Sequence, residues 1–254
     1  MRDRLLITGA TGFLGRNLIP VLSGHDAEML SLTIEQDSEN KSGISWVHCD
    51  LFDAEAVERI MKEFKPTHLL HMAWGMVPSN YNLPSDFEWL TAGMSLIKLF
   101  ARYGGRRVVV TGSGVEYDWS SAFCREGSTR ESYQTLYGAN KNILRKFSES
   151  FLAYHGIALA WPRLFFLYGP YENEQRLVPH IITSLLKGEE AVIRSGNLYR
   201  DYFYIKDVVH SLSQLVFSEI TGLINIASGE PVKLGYIAEL IGNMIGSTDL
   251  LEFQ

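Results

Sequence analysis

Short apolar runs alternate with longer amphipathic stretches along this chain. Leu5-Leu6-Ile7, Met29–Leu32, Ile44–His48, Leu69-Leu70, Val108-Val109-Val110, Ala158–Trp161 and Leu223–Ile226 are bounded by Gly, Pro or polar residues, which predicts short strands, most of them buried on both faces. Between them, Ala56, Val57, Ile60, Met61 and Phe64 recur at three- and four-residue steps and predict a helix over Ala54–Phe64. Ile143, Leu144, Phe147, Phe151 and Tyr154 stripe a longer helix predicted from Glu131 to His155, and Phe87–Tyr103 and Leu234–Ile245 read as two more. Asp53 and Pro66 punctuate the Ala54–Phe64 helix, while Gly104-Gly105 and Gly156 end two others. Pro20 falls inside the helix predicted to start near Gly12, where it is expected to shorten or bend it. Strands alternating with helices predict an α/β fold, a doubly wound parallel sheet with helices on both faces. After Tyr168-Gly169-Pro170 the elements become shorter. The predicted division is a main domain over 1–166 and 203–226, and a small C-terminal lobe over 167–202 and 227–254.

Composition narrows the class. The chain has 254 residues, 46% hydrophobic and 20% charged, which is enough for a full core and excludes a disordered chain. A net charge of −6 without a Lys/Arg-rich stripe argues against nucleic acid as a partner. The apolar run after Met1–Arg4 stops at Thr8-Gly9, too early for a signal peptide, and no apolar run approaches membrane-spanning length. Cys49 and Cys124, the two cysteines, read as reduced thiols, so a soluble cytoplasmic protein is expected, with no membrane partner. No His/Cys/Asp/Glu cluster has metal-ligand spacing, so no metal is expected.

The strongest local motif is Leu5-Leu6-Ile7-Thr8-Gly9-Ala10-Thr11-Gly12-Phe13-Leu14-Gly15. Its Gly-x-x-Gly-x-x-Gly spacing follows a strand and opens a helix, the arrangement in which backbone N–H groups approach a pyrophosphate and the helix N-terminus stabilises it. This predicts a Rossmann-type dinucleotide site built from Gly9, Thr11, Gly12, Phe13, Leu14 and Gly15. The second strand ends near Thr33 without a clear Asp or Arg. Glu35 and Asp37 lie just beyond, and Arg16 is either a 2′-phosphate contact or a solvated helix residue, so NAD and NADP both remain open. Asp50-Leu51 ends the next strand, where Asp50 is placed to meet an adenine amino group, and His71-Met72-Ala73 ends the fourth, with backbone facing the cofactor. His71 is equally a buried, satisfied imidazole.

Tyr137 and Lys141 are four residues apart on one helix and therefore share a face. A phenol is a poor base at neutral pH, and a nearby ammonium favours its phenolate, bringing proton transfer into range. Thr111-Gly112-Ser113-Gly114-Val115-Glu116-Tyr117 follows the fifth strand, where Ser113 could hold a substrate oxygen beside Tyr137, with Thr111 as the rival hydroxyl. Glycine motif, strand-end Ser and Tyr-x-x-x-Lys in this order predict a proton-coupled hydride-transfer site.

On these motifs, together with Asp50–Asp53, His71–Ala73, Arg163–Pro170, Arg200–Val208 and Asn225–Pro231, the sequence resembles the extended short-chain dehydrogenase/reductases of the nucleotide-sugar epimerase/dehydratase group over nearly its whole length. The resemblance implies Tyr137 as general acid/base, Lys141 on the nicotinamide ribose, Ser113 polarising the sugar oxygen, Leu164 among the cofactor contacts, and Arg200 on the substrate diphosphate. It also implies a homodimer through the helices Phe87–Tyr103 and Glu131–Tyr154, for which burial within one chain is the rival explanation. Trp74, Tyr81, Trp119, Asn173, Arg176 and His180 are further pocket candidates, each equally explained by packing. Family members usually continue well beyond the Leu234–Ile245 helix, which implies a minimal lobe, an open pocket or a wall from a partner subunit.

Dehydratases of this group carry an Asp-Glu pair where this chain has Gly114-Val115, so dehydration is disfavoured. The turn Gly-Ser-Gly-Val-Glu-Tyr-Asp resembles that of 4-keto-sugar reductases, with Glu116 either structural or a wall of the sugar pocket. The expectation is NAD(P)H-dependent reduction of a nucleotide-activated 4-keto-6-deoxy sugar. A 4-epimerase that retains its NAD is the alternative reaction, and a cofactor-binding regulator or subunit on the same fold is the alternative class.

Overall fold

The computed structural model describes residues 2–35, 43–75, 80–120 and 123–254. Asp37 lies outside them. In chain order the elements are β1 (Asp3–Thr8), α1 (Phe13–Leu22), β2 (Ala27–Thr33), β3 (Ser45–His48), α2 (Ala54–Phe64), β4 (His68–His71), α3 (Asp86–Arg102), β5 (Arg107–Val110), β6 (Gly112–Ser113), α4 (Leu136–Tyr154) and β7 (Ala158–Leu164). There follow β8 (Phe166–Tyr168), α5 (Leu177–Leu186), β9 (Ala191–Ile193), β10 (Tyr199–Arg200), β11 (Tyr202–Tyr204), α6 (Ile205–Val216), β12 (Gly222–Ile226), β13 (Val232–Lys233), α7 (Leu234–Ile245) and β14 (Leu251–Phe253).

The main sheet runs β12-β7-β5-β4-β1-β2-β3 with every pair parallel, and β6 extends the ladder on β7. The strand order reverses on either side of β1, as in dinucleotide-binding sheets. Continuous apolar runs are needed because both faces are covered. Leu5 and Ile7 pack on Leu18, Leu22, Val208 and Leu212 of α1 and α6. Leu6, between them, points the other way, into a cluster with Val57, Met61, Ile97, Phe100 and Leu144 of α2, α3 and α4. Burial of each such Leu or Ile contributes about 1.5–3 kcal/mol. A third, smaller cluster joins Ile181 and Leu185 of α5 to Ile193 of β9 and Ala238 of α7, with β14 pairing parallel to β9. Among the described residues, no helix is long and apolar enough to cross a membrane.

One helix expectation is corrected. α4 begins at Leu136, not Glu131, because the Thr135 hydroxyl accepts the Gly138 N–H and caps the helix there. The preceding residues are drawn out instead, with Glu131 bridging Tyr117 and the Ser132 N–H bonding the Glu116 carbonyl at 2.8 Å. Pro20 lies on the exposed face of α1, which ends two residues later at Leu22. Cys49 and Cys124 are both free thiols.

Candidate active site

The C-terminal edge of the parallel strands gathers the glycine loop, the ends of β2–β5 and the start of α4. Gly9 has φ +78°, and a Cβ there would lie 2.6 Å from the Ala73 backbone nitrogen. A Cβ on Gly15 would meet Ala10 and the Gly9 carbonyl at 2.4 Å. The first glycine thus makes the turn against β4, and the third lets α1 close on the loop. Gly12 opens α1 with no side-chain cap, and no acidic residue occupies the first turn, so its N–H groups and positive dipole end remain available for an anion. This cradle fits a dinucleotide pyrophosphate. Thr8 Oγ1 receives the Ala73 N–H at 3.3 Å and contacts His71 Nδ1 at 2.7 Å, tying β1 to the end of β4. His71 is fully buried, and burial pushes its imidazole down to about 3, so it is neutral and structural.

At the far end of the cradle, Arg16 donates to the Thr11 carbonyl at 2.6 Å and lies 3.9 Å from the Glu35 carboxylate. A carboxylate therefore stands beside the glycine loop just past Thr33. Asp50 accepts the Phe52 N–H at 3.0 Å, stabilising the turn through Leu51 after β3.

A cavity of about 520 Å³ opens beside the loop, and Phe13, Met72, Leu164, Ser113, Tyr137 and Lys141 all line it. The spacing on α4 puts Tyr137 and Lys141 on its inward face. The Lys141 ammonium donates to the Thr111 carbonyl at 2.9 Å and lies 4.2 Å from the centre of the Trp74 ring. Burial pushes this amine down to about 8, opposed by the charges of Glu116 and Asp86. Trp74 is fixed by a 2.8 Å hydrogen bond from its indole N–H to Asp86, and it meets the Tyr137 ring edge-on. The Tyr137 phenol is held well above its ordinary range by burial and by the Glu116 charge, with a hydrogen bond to Ser113 pulling the other way.

Tyr81, Asn173, Arg176 and Arg200 also line the cavity, with the Tyr81 ring against that of Tyr137. Arg176 donates to the Tyr81 hydroxyl at 3.3 Å, and the Arg200 guanidinium lies 5.5 Å from the centres of both the Trp119 and Phe166 rings. His180 is on α5 and is not among the lining residues. The cavity also includes Phe165, Phe166 and Glu172, which the sequence reading missed. The apolar Phe-Phe pair reads as strand interior, and the position of Glu172 two residues after Gly169-Pro170 was the available signal.

The alternative of Glu116 as a substrate contact is overturned. Its side chain is fully buried behind the Ser113 turn, paired with Arg163 at 2.7 Å and receiving the Trp161 indole N–H at 3.1 Å. The same carboxylate accepts the Ser113 backbone N–H at 2.7 Å, closing a capping box over Gly114–Glu116. A Cβ added at Gly114 would lie 3.4 Å from the rings of Trp119 and Phe165, so a small side chain would fit there. Among the described residues, no group of three metal-ligating side chains occurs.

A glycine cradle at the switch point of a parallel sheet, with a half-buried Tyr and a buried Lys beside a strand-end Ser, defines a dinucleotide-dependent protein of the short-chain dehydrogenase/reductase type. The chain belongs to the NAD dependent epimerase/dehydratase family, whose model matches residues 5–227. It is 24% identical over 238 residues to dTDP-6-deoxy-L-talose 4-dehydrogenase (NAD(+)) of Aggregatibacter actinomycetemcomitans, covering 91% of this chain and 86% of that one. It is likewise 24% identical over 270 residues to UDP-glucuronic acid decarboxylase 1 of Xenopus tropicalis, covering 99% of this chain but 62% of that relative. Its fold is similar to UDP-glucose 4-epimerase of Thermus thermophilus in complex with NAD, with a TM-score of 0.83, 22% identity, and 99% and 85% of the two chains covered. A UDP-N-acetylglucosamine 4-epimerase from Methanobrevibacter ruminantium superposes with a TM-score of 0.85 at 23% identity, over 100% and 85%.

Proposed function

We propose that the protein reduces a nucleotide-activated 4-keto-6-deoxy sugar, using NAD(H), by a Ser113–Tyr137–Lys141 mechanism. The observation that carries this reading is the convergence of these three side chains on one cavity beside the glycine cradle, with Gly114-Val115 in place of paired carboxylates. The name of the talose 4-dehydrogenase relative supports redox chemistry at C4 of a 6-deoxy sugar. The Glu35 carboxylate beside Arg16 supports NAD over NADP, because a 2′-phosphate would meet a negative charge there.

The backbone of Gly9–Gly15 would hold the pyrophosphate, Asp50 the adenine end, Met72, Ala73 and Leu164 the nicotinamide end, and Lys141 the adjoining ribose. Bound nicotinamide supplies the transfer of a hydride to or from C4 of the sugar. The chain's own part is the proton. A phenol held above its ordinary range is fully protonated at neutral pH, which suits Tyr137 to donate to the C4 oxygen during reduction. Ser113 donates to the same oxygen, and the Lys141 ammonium stabilises the phenolate left behind. Arg200 and Arg176 would receive the diphosphate, with residues 167–202 and 227–254 acting as the substrate lobe.

We also propose a homodimer through α3 and α4. Ile143 and Tyr154 of α4 are exposed, and Ile143, Phe147 and Phe151 border a second, shallow hollow with Tyr133. Sedimentation equilibrium checks this, and a monomer at micromolar concentration refutes it.

The decisive test of the reaction is absorbance of added NADH with a freshly generated nucleotide 4-keto-6-deoxy sugar. Stoichiometric oxidation is the expected result. Sugar isomers interconverting with no net oxidation, on tightly held NAD, would assign the 4-epimerase reaction instead.

A further inference from the structure

One polar group in the cavity has no role in the chemistry above. Glu172 lines the cavity, yet its Oε2 is shielded from water and has no hydrogen-bond partner among the described residues. A carboxylate left this way in a protein interior is costly unless it is paired or protonated. Desolvation raises this carboxyl to about 7, in spite of the neighbouring Arg176 guanidinium and a hydrogen bond from the Gly169 backbone. The backbone beside it is also constrained. Tyr171 adopts φ +70°, a left-handed conformation unfavourable for a bulky residue. Its ring is exposed and lies near Arg16, whereas Glu172 turns into the cavity.

The charged and titratable groups around Glu172 come from separate elements. Arg176 immediately precedes α5, Arg200 ends β10, Tyr202 begins β11, and Tyr81 precedes α3 and receives the Arg176 N–H. The Tyr202 phenol feels Glu172, Arg176, Arg200 and Tyr81 together, and burial with the Glu172 charge pushes it up to about 12. Two guanidiniums, a phenol and one carboxyl thus line one end of the cavity, with Tyr202 close behind them. An uncharged carboxyl adds a donor to that cluster, whereas an ionised one opposes an incoming anion and competes for Arg176.

We propose that Glu172 makes substrate binding proton-linked: the diphosphate of a nucleotide-sugar enters the Arg176–Arg200 end of the cavity with Glu172 uncharged, so that an ionised Glu172 takes up one proton from solvent as the ligand binds. The inference rests on the nucleotide-sugar reading of the cavity and adds a residue outside the proton-transfer machinery. No covalent step is involved.

The test is titration calorimetry of the full chain with NAD present, using UDP-, dTDP-, GDP- and CDP-glucose as probes, whose diphosphates do not titrate near neutrality. Runs between about pH 6 and 8.5, in buffers of different ionisation heat, give Kd and protons exchanged. For the wild type, Kd should rise towards tenfold per pH unit above about 7, with uptake approaching one proton per ligand at the alkaline end. Glu172→Gln, isosteric with the neutral acid, should lose the rise in Kd and the proton uptake that begin near pH 7, leaving only the change at Lys141 near pH 8. Binding by the wild type without proton uptake overturns this inference alone, as does a Glu172→Gln profile with the wild-type slope. No binding of any of the four probes overturns the nucleotide-sugar reading and this inference with it. The wild-type measurement stands by itself should the variant not fold.

Discussion

Glu116 and Arg163 form an ion pair at 2.7 Å with neither side chain reaching solvent, directly behind the Ser113 turn. Arg163 also donates to the Asn142 side chain at 3.1 Å, and Asn142 donates to the Glu116 carbonyl at 3.0 Å. One buried network therefore ties β7 to the turn after β5 and to the residue following Lys141 on α4. Removing one partner leaves an uncompensated buried charge. Glu116→Leu and Arg163→Met should each cost about 3–5 kcal/mol, and the double variant should recover most of that. Urea unfolding checks this, and additive losses in the double variant would refute the coupling.

Tyr137→Phe removes the proton donor and keeps the ring against Trp74 and Tyr81. Turnover should fall by about 10²–10⁴-fold while dinucleotide affinity stays within about threefold. Rapid-mixing absorbance with a separate binding titration reads both quantities. Equal loss of binding and turnover would argue that the phenol serves the architecture and not the chemistry.

Lys141 gives a pH signature in stability. Its folded-state value of about 8 lies below the usual lysine range, so between about pH 8 and 10.4 the unfolded chain binds more protons at this position. Its contribution to stability should accordingly rise with pH through that window, be fully present above it, and be lost as pH falls through about 8. The penalty for charging the buried amine is on the order of 3 kcal/mol at neutral pH. Subtracting unfolding curves of Lys141→Met from those of the wild type isolates it; a pH-independent difference would contradict the assignment.

Gly9→Ala should be destabilising by more than about 1 kcal/mol, since φ +78° disfavours any Cβ and the Ala73 nitrogen lies where it would go. Backbone of β4 would have to move, carrying Met72 and Ala73 with it, so dinucleotide affinity should fall as well. Thermal unfolding with and without NAD separates the two effects.

Much of this was legible in the sequence because it is local. The glycine spacing after an apolar triplet, Tyr137 and Lys141 on one helical face, and the Ser113 turn after Val108–Val110 each follow from periodicity or from one element's chemistry. What was not legible depends on residues distant in sequence. The fate of Glu116 is decided by Arg163 and Trp161, more than forty positions away, and a turn sequence carries no sign of which way its carboxylate will face. Glu172 acquires its meaning from Tyr81, Arg176, Arg200 and Tyr202, contributed by separate elements. The start of α4 was misplaced for a subtler reason. The helical stripe continues towards Glu131, but the Thr135 cap and the bond from the Ser132 N–H to Glu116 draw the chain straight there.

The stacking of Trp74 over the Lys141 ammonium has a practical consequence. An indole's emission responds to a charge held 4.2 Å from its ring centre, so this residue is a native fluorophore inside the cavity. The difference between wild-type and Trp74→Phe spectra removes the background of the other tryptophans. It would report, without any label or substrate, when Lys141 loses its charge and when a ligand inserts beside it.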